Sequence, residues 1–306
     1  MKTFDAVVVG GGPAGITAVL YLVRSGCRVL LCESLTLGGQ VLMTDSLANY
    51  PGMPRGVKGW ELADLFAAHI EGLDFERTTA AVQGVEGSAG HFVVHTSEGD
   101  VQAKTVIAAS GARHRPLGVD GEMRLAGHGV SYCAICDGNF FRGQPVAVVG
   151  GGNSALEEAL YLSKIVSRVY LIHRRDQFRG AQVYQDNVRS ADNIELVLSS
   201  TVESLKGDKD LEGVVVRNVA TGQTRELEVN GLFIFVGMVP NTDWVPEQVE
   251  KNHGFLVTDT EMRTSVPGIF AAGDVRDKLC RQVVTAAGDG ATAAQAAFLL
   301  LEQLNA

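Results

Sequence analysis

The sequence predicts an α/β fold, and three observations carry the prediction. A strand, glycine turn, helix and strand open the chain, the same pattern recurs near the middle, and glycine is in excess. Val7-Val8-Val9-Gly10-Gly11-Gly12-Pro13-Ala14-Gly15 is echoed by Ala147-Val148-Val149-Gly150-Gly151-Gly152-Asn153-Ser154-Ala155. The echo runs on through Tyr21-Leu22 and Tyr161-Leu162, then Arg28-Val29 and Arg168-Val169, at the same offset from each turn. Glycine accounts for 36 of the 306 residues, above the usual share of about 7%. The excess collects in strand-to-helix turns, where close approach to a phosphate forbids a Cβ.

The first element, Met1 to Val9, reads as a buried strand running straight into its turn. It has neither the apolar core nor the small-residue cleavage site of a signal peptide. Each turn then has the G-x-G-x-x-G/A spacing, Gly10, Gly12 and Gly15 in one copy and Gly150, Gly152 and Ala155 in the other. The first glycine makes the turn, and the second lets the backbone approach a pyrophosphate on the helix N-terminus, where Pro13 and Ala14, or Asn153 and Ser154, begin the helix. The third position lets helix and strand pack closely. One such turn is weak evidence. Two in matching β-α-β context read as two doubly wound, Rossmann-like nucleotide-binding domains.

The end of the second strand differs between the copies. In the first, Glu33 stands 23 residues after Gly10, where a carboxylate can accept from both hydroxyls of an unphosphorylated adenosine ribose, which suits FAD. In the second, the matching residue is His173, followed by Arg174, Arg175 and then Arg179. No carboxylate is there to repel a 2′-phosphate and guanidiniums can grip one, which suits NADPH. An ordinary solvated basic loop is the alternative. Late in the chain an apolar strand delivers Gly273-Asp274 to its C-terminal edge, where Asp274 can hold a ribityl hydroxyl, although Gly-Asp alone is more often a turn. Arg281-Gln282-Val283 then precede an alanine-rich helix, Thr285 to Leu301, whose N-terminal N–H groups suit the electron-rich pyrimidine end of a flavin.

Between the two nucleotide signals and just before the second turn lies Cys133-Ala134-Ile135-Cys136-Asp137. Cysteines at this spacing close a small reducible disulfide, and nearby backbone N–H groups depress the thiolate pKa. Half of a zinc site or two buried thiols are the alternatives. Zinc needs two more ligands, yet Cys27, Cys32 and Cys280 form no second C-x-x-C and no H-x-x-x-H is present, so no metal is expected. A redox disulfide between two nucleotide sites predicts electron flow from a nicotinamide through a flavin to a dithiol. The net charge of −9 and pI near 5.3 argue against nucleic acid as a partner. No run approaches the roughly 18 uninterrupted apolar residues of a membrane span, and a catalytic C-x-x-C suits the reducing cytoplasm.

With these residues placed, the chain resembles the bacterial low-molecular-weight NADPH-dependent thioredoxin reductases over nearly its whole length. The matching segments are GGGPAG, GGQ (Gly38 to Gln40), ANYPG (Ala48 to Gly52), CAICDG, GGGNSALEEA, HRRDQFR, FAAGD and RQVVTAAG. The resemblance implies an NADPH domain inserted in an FAD domain: 1–114 and 245–306 for FAD, 115–244 for NADPH with the C-x-x-C. The crossings, Arg113 to Pro116 and Val239 to Asp243, have the polar and proline content of linkers. A homodimer is also implied, with thioredoxin or a thioredoxin-like protein as partner. By the same resemblance Cys136 lies against the flavin, Cys133 attacks the protein substrate, and Asp137 moves protons, unless it merely caps a helix. Gly39, Gln40, Asn49, Gly111, Glu33, Gly273, Asp274 and Arg281 to Val283 fall at flavin positions, and His173, Arg174, Arg175 and Arg179 at NADPH positions.

Two departures stand out. Ala109-Ser110-Gly111-Ala112 replaces A-T-G-A and keeps a hydroxyl. Gly180 ends the H-R-R-D-x-F-R-A pattern, which predicts a looser nucleotide loop. Rival readings are the same scaffold fed by ferredoxin or NADH, and a non-enzymatic flavin-binding redox sensor. Because flavin and C-x-x-C belong to different domains, the inserted domain is expected to rotate about the crossings near Arg115 and Asn241.

Overall fold

The computed structural model describes residues 1–44, 46–47, 49–53 and 56–306. Ala48 of the ANYPG segment lies outside the described residues. The chain forms two compact units, one of residues 1–45, 50–113 and 239–306 and the other of residues 46–49 and 114–238.

In the first unit the strands Glu76–Thr78, Val29–Cys32, Thr3–Val9 and Val101–Ala108 lie parallel in that order, and Ile269–Ala271 adds parallel to Val101–Ala108. His91–Thr96 and Val82–Ser88 extend the sheet antiparallel. The apolar run of the first strand is continuous because both its faces are covered. Its side chains alternate: Ala6 and Val8 enter the core under the helices, while Val7 and Val9 enter a second core with Phe92, Val94 and Leu256. Helix α1, Pro13–Arg24, starts on the turn with proline in its first positions, where a missing N–H costs nothing, and helix α2, Gly59–Ala68, follows it in the same unit.

A long helix, Val283–Asn305, lies against α1 through Ala286, Gly290, Ala293, Ala294 and Ala297. A Cβ on Gly290 would stand 2.2 Å from Ala14 O, so glycine is what lets the two helices approach. This helix begins two residues before the expected Thr285, because Thr285 caps Gln282 rather than starting the helix. By length and composition it is apolar enough to cross a membrane, yet its small-residue face belongs to the core just described.

The second unit repeats the scheme. Its parallel sheet runs Val130–Ser131, Gly231–Ile234, Pro145–Val149, Arg168–Ile172 and Ile194–Val197. Val146 and Val148 face a core with helices α3 (Ala134–Asp137), α4 (Asn153–Ser163) and α5 (Gln182–Ser190), which also takes in Ala134, Leu156 and Val188. Ala147 and Val149 face the other way, onto Val214, Val216 and Leu227 of an antiparallel meander over Ser200–Lys206, Gly213–Asn218 and Thr224–Glu228.

The crossings run side by side as the paired short strands Ala112–His114 and Met238–Pro240. On the first unit's side Asn241 N donates to Gly111 O at 3.0 Å, Ser110 Oγ to Asn241 O at 2.6 Å and Arg113 Nη1 to Asn241 Oδ1 at 2.9 Å. The hydroxyl kept by Ser110 thus staples the outgoing chain to the returning one.

Candidate active site

Cys133 and Cys136 form a disulfide with Cα atoms 5.3 Å apart. Cys133 is the extended N-cap of α3, so the next turn of backbone carries Cys136 back over it, and Cys136 N donates to Cys133 Sγ at 3.2 Å. Beneath them is Ser131, a buried hydroxyl that sequence reading passed over. It donates to Asp137 Oδ2 at 2.6 Å and accepts from Cys133 N at 3.1 Å, tying the acid to the first cysteine. Tyr132 donates to Glu122 Oε1 at 2.7 Å, and Glu122, itself buried, also accepts from Leu117 N and Gly118 N. Ile135 and Phe140 beside the pair are exposed. The other cysteines stay apart: burial pushes Cys27 up to about 11 and Cys32 up to about 12, and Cys280 is exposed. Among the described residues no three His, Cys, Asp or Glu side chains gather as metal ligands.

The glycines of the first turn divide by what constrains them. Gly10 has φ +110°, and a Cβ there would stand 2.4 Å from Ala109 O; one on Gly15 would stand 1.8 Å from Gly10 O. A Cβ on Gly12 would meet only Gly39 Cα, at 3.9 Å. Among the described residues nothing requires glycine at 12, which fits a position kept bare for a phosphate. Glu33 closes on this turn, accepting from Gly11 N at 2.6 Å and Leu35 N at 2.8 Å, so each carboxylate oxygen keeps lone-pair capacity for a ribose hydroxyl. Gly39 sits beside Gly12 at φ +58°, with Gln40 exposed after it, and Gly111, at φ +65°, has open space around it. Asn49 is exposed in the segment 46–49, which is grouped with the second unit.

Gly273 turns beneath Ala14 with φ +79°, and Asp274 follows with Oδ1 buried and lacking a hydrogen-bond partner among the described residues. Burial pushes the Asp274 carboxyl up, partly offset by Lys278 and Arg281. Arg281 lies over the Phe255 ring, its carbon 4.2 Å from the centroid, with Nε buried and unbonded. Gln282 caps the long helix that Val283 begins. Unsatisfied buried polar atoms are rare, and two of them on the stretch that joins the Gly273 turn to the Gln282 cap fit the polar part of a flavin cofactor.

The second turn repeats the division. A Cβ on Gly150 would stand 2.5 Å from Phe235 O, and one on Gly152 would meet nothing within 4 Å. Ala155 is fully buried, while Asn153 and Ser154 are exposed at the start of α4. His173 is only 5% exposed. Its ring lies so close to Gly151 that a Cβ there would come within 2.3 Å, and it stacks on Phe178. Burial, then the charges of Arg179, Arg175 and Arg174, hold His173 below its ordinary pKa. The three arginines are exposed.

The looser loop expected at Gly180 is not what the structure has. Arg179 N and Gly180 N both donate to Gly151 O, at 2.7 and 3.1 Å, and Ala181 N donates to Asn153 Oδ1 at 2.7 Å. A Cβ on Gly180 would stand 2.6 Å from Leu156 Cδ1, so glycine here draws the loop tightly onto α4. Asn153, expected to touch the nucleotide, spends its carbonyl pinning the arginine loop.

A reducible disulfide on the same core as one nucleotide turn, in a chain with a second such turn, defines an α/β oxidoreductase of dithiols. The chain belongs to the pyridine nucleotide-disulphide oxidoreductase family, whose model matches residues 4–290. It is 42% identical to the thioredoxin reductase of Treponema pallidum over 99% of this chain and 98% of that one. A crystal structure of the Streptococcus pyogenes thioredoxin reductase superposes with TM-score 0.94 at 42% identity, covering 99% of each chain. A ferredoxin-flavin thioredoxin reductase of Clostridium acetobutylicum is 29% identical with TM-score 0.56, covering 100% of this chain and 99% of that one.

Proposed function

We propose that this chain is an NADPH-dependent thioredoxin-disulfide reductase, with FAD in the first unit and NADPH in the second. The observation that carries the reading is the Cys133–Cys136 disulfide with Asp137 tied to it through Ser131. FAD, when bound, supplies the relay that accepts a hydride from the nicotinamide and passes two electrons to the disulfide. Gly12, Glu33, Asp274, Arg281 and Gln282 would hold it, and Gly152, Arg174, Arg175 and Arg179 would hold NADPH.

Once the pair is reduced, the Cys133 thiolate is stabilised by the Cys136 N–H, which already points at its sulfur. It attacks one sulfur of the substrate disulfide, forming a mixed disulfide and expelling a thiolate that takes up a proton. Cys136 then gives up its proton and attacks Cys133 Sγ, which restores the intramolecular disulfide and releases the second substrate thiolate. Asp137 is placed to carry these protons. The exposed Ile135 and Phe140 offer apolar footing to a protein substrate, and the unpaired buried thiols Cys27 and Cys32 suit a cytoplasmic setting. The homodimer implied by the resemblance is read by sedimentation.

A second reading, with reduced ferredoxin as donor, is favoured by the Clostridium neighbour. The three arginines pinned beside the open Gly152 speak for NADPH instead. Anaerobic titration of the purified flavoprotein with NADPH, NADH and reduced ferredoxin, followed by turnover on thioredoxin, separates the two. Cys136→Ser should keep FAD and still pass electrons from NADPH to artificial acceptors while losing thioredoxin reduction. Undiminished thioredoxin turnover in that variant would overturn the assignment.

A further inference from the structure

The stretch from Asp274 to Gln282 is bracketed by residues that motif reading assigns to the flavin, yet its buried charges belong to other side chains. Asp289, inside the long helix, holds Arg276 Nη1 on Oδ1 at 2.8 Å and Lys278 Nζ on Oδ2 at 2.8 Å. The same Oδ2 accepts from Gly273 N at 3.0 Å. These three side chains are only 10–13% exposed. Lys278 Nζ goes on to Thr285 Oγ1 at 3.2 Å, the hydroxyl that accepts from Gln282 N, and lies 4.0 Å from Asp274 Oδ1.

One ammonium is therefore wired to both sides of the candidate flavin site. Through Asp289 it reaches the Gly273-Asp274 turn, and through Thr285 it reaches the Gln282 cap. A buried charge network of this kind is a poor source of stability, since desolvation offsets most of the attraction and apolar replacements often do as well. What it does fix is the spacing between the Asp274 and Gln282 arms. Lys278 also faces Asp274 Oδ1 as an ion pair too long for a hydrogen bond, and among the described residues that buried oxygen has no hydrogen-bond donor. The oxygen is held ready for a donor from outside the chain, such as a ribityl hydroxyl.

We propose that Lys278 and Asp289 are positioning residues for the flavin, setting the Asp274 and Gln282 arms at the separation the cofactor needs. This rests on the FAD reading given above. Apo-protein stripped of FAD is titrated with FAD by fluorescence quenching, for wild type, Lys278→Met, Lys278→Arg and a control, Leu22→Ala. Leu22 is a buried residue of α1, in the apolar core that the long helix shares.

Lys278→Met should weaken FAD at least tenfold and shift the visible absorbance of the saturated flavin. Lys278→Arg, which keeps a cation in place, should stay within threefold of wild type. Leu22→Ala should lower thermal stability while leaving FAD affinity within threefold. Lys278→Met binding FAD like wild type, or Leu22→Ala losing as much affinity, would overturn the proposal. If Lys278→Met does not fold, Thr285→Val leaves the Lys278–Asp289 pair in place, removes the link from Lys278 to the Gln282 cap together with the hydroxyl's bonds to Gln282 and Cys280, and must itself weaken FAD, or the proposal fails. A wild-type protein that takes up no FAD would instead overturn the flavin reading, a separate result.

Discussion

The two glycine turns are near copies in backbone and differ in what rests on their middle glycine. At Gly11 a Cβ would strike Leu37 and the Glu33 side chain, at 2.7 and 2.8 Å, and Gly11 N donates to the Glu33 carboxylate. At Gly151 a Cβ would strike the His173 ring, and Gly151 O takes two N–H groups of the arginine loop. In both copies the residue ending the second strand folds back onto the turn. The first copy brings the Glu33 carboxylate onto its turn, and the second brings an imidazole held below its ordinary pKa together with a tethered set of guanidiniums. In both copies the residue after the second strand docks on the middle glycine, a carboxylate in the first and an imidazole in the second.

The sharpest way to break this parallel is to test the glycines separately. Gly10→Ala forces a side chain into left-handed backbone against Ala109 O and should cost about 3 kcal/mol or more in chemical denaturation. Gly12→Ala and Gly152→Ala should unfold like wild type yet weaken FAD and NADPH respectively by roughly tenfold, about 1.4 kcal/mol, in binding titrations. Arg174→Ala with Arg175→Ala removes the charge-assisted bonds that we propose to a 2′-phosphate, each contributing about 1.5–3 kcal/mol. The KM for NADPH should rise at least tenfold and that for NADH little. Equal loss for both nucleotides would assign the pair a structural role.

The smallest effect concerns pH. The folded His173 pKa is depressed by burial, so between that value and about 6.5 the unfolded chain binds more protons and stability falls as pH drops. His173→Phe should flatten urea-unfolding stability between pH 7 and 5.5 relative to wild type. An unchanged slope would place the linkage elsewhere, His114 being a half-buried imidazole whose pKa is lowered as well.

The repeat, the Glu33 and His173 positions and the C-x-x-C were legible because each sits at a fixed offset from a periodic element. The middle glycines were not, since their constraint comes from a side chain about 22 residues away at the strand end. Ser131 escaped notice as a lone hydroxyl before the cysteines. Gly180 read as a source of slack because Leu156 and Asn153, which make it necessary, lie on a helix distant in sequence. Arg276, Lys278 and Asp289 follow no period, and only the fold brings them onto one another.

The paired crossings also bear on the order in which the chain folds. Arg115 N donates to Gly237 O at 2.9 Å within the second unit, so that unit, once formed, presents its two ends as neighbours. To the first unit the whole insertion is a loop, and closing a disordered loop costs entropy that grows by about 0.6 kcal/mol with each doubling of length. An insertion that folds first has already closed the loop. Ser110, Arg113 and Asn241 then need only zip together two chain ends held side by side, and the last strand and long helix reach their places without a search across the length of the inserted unit.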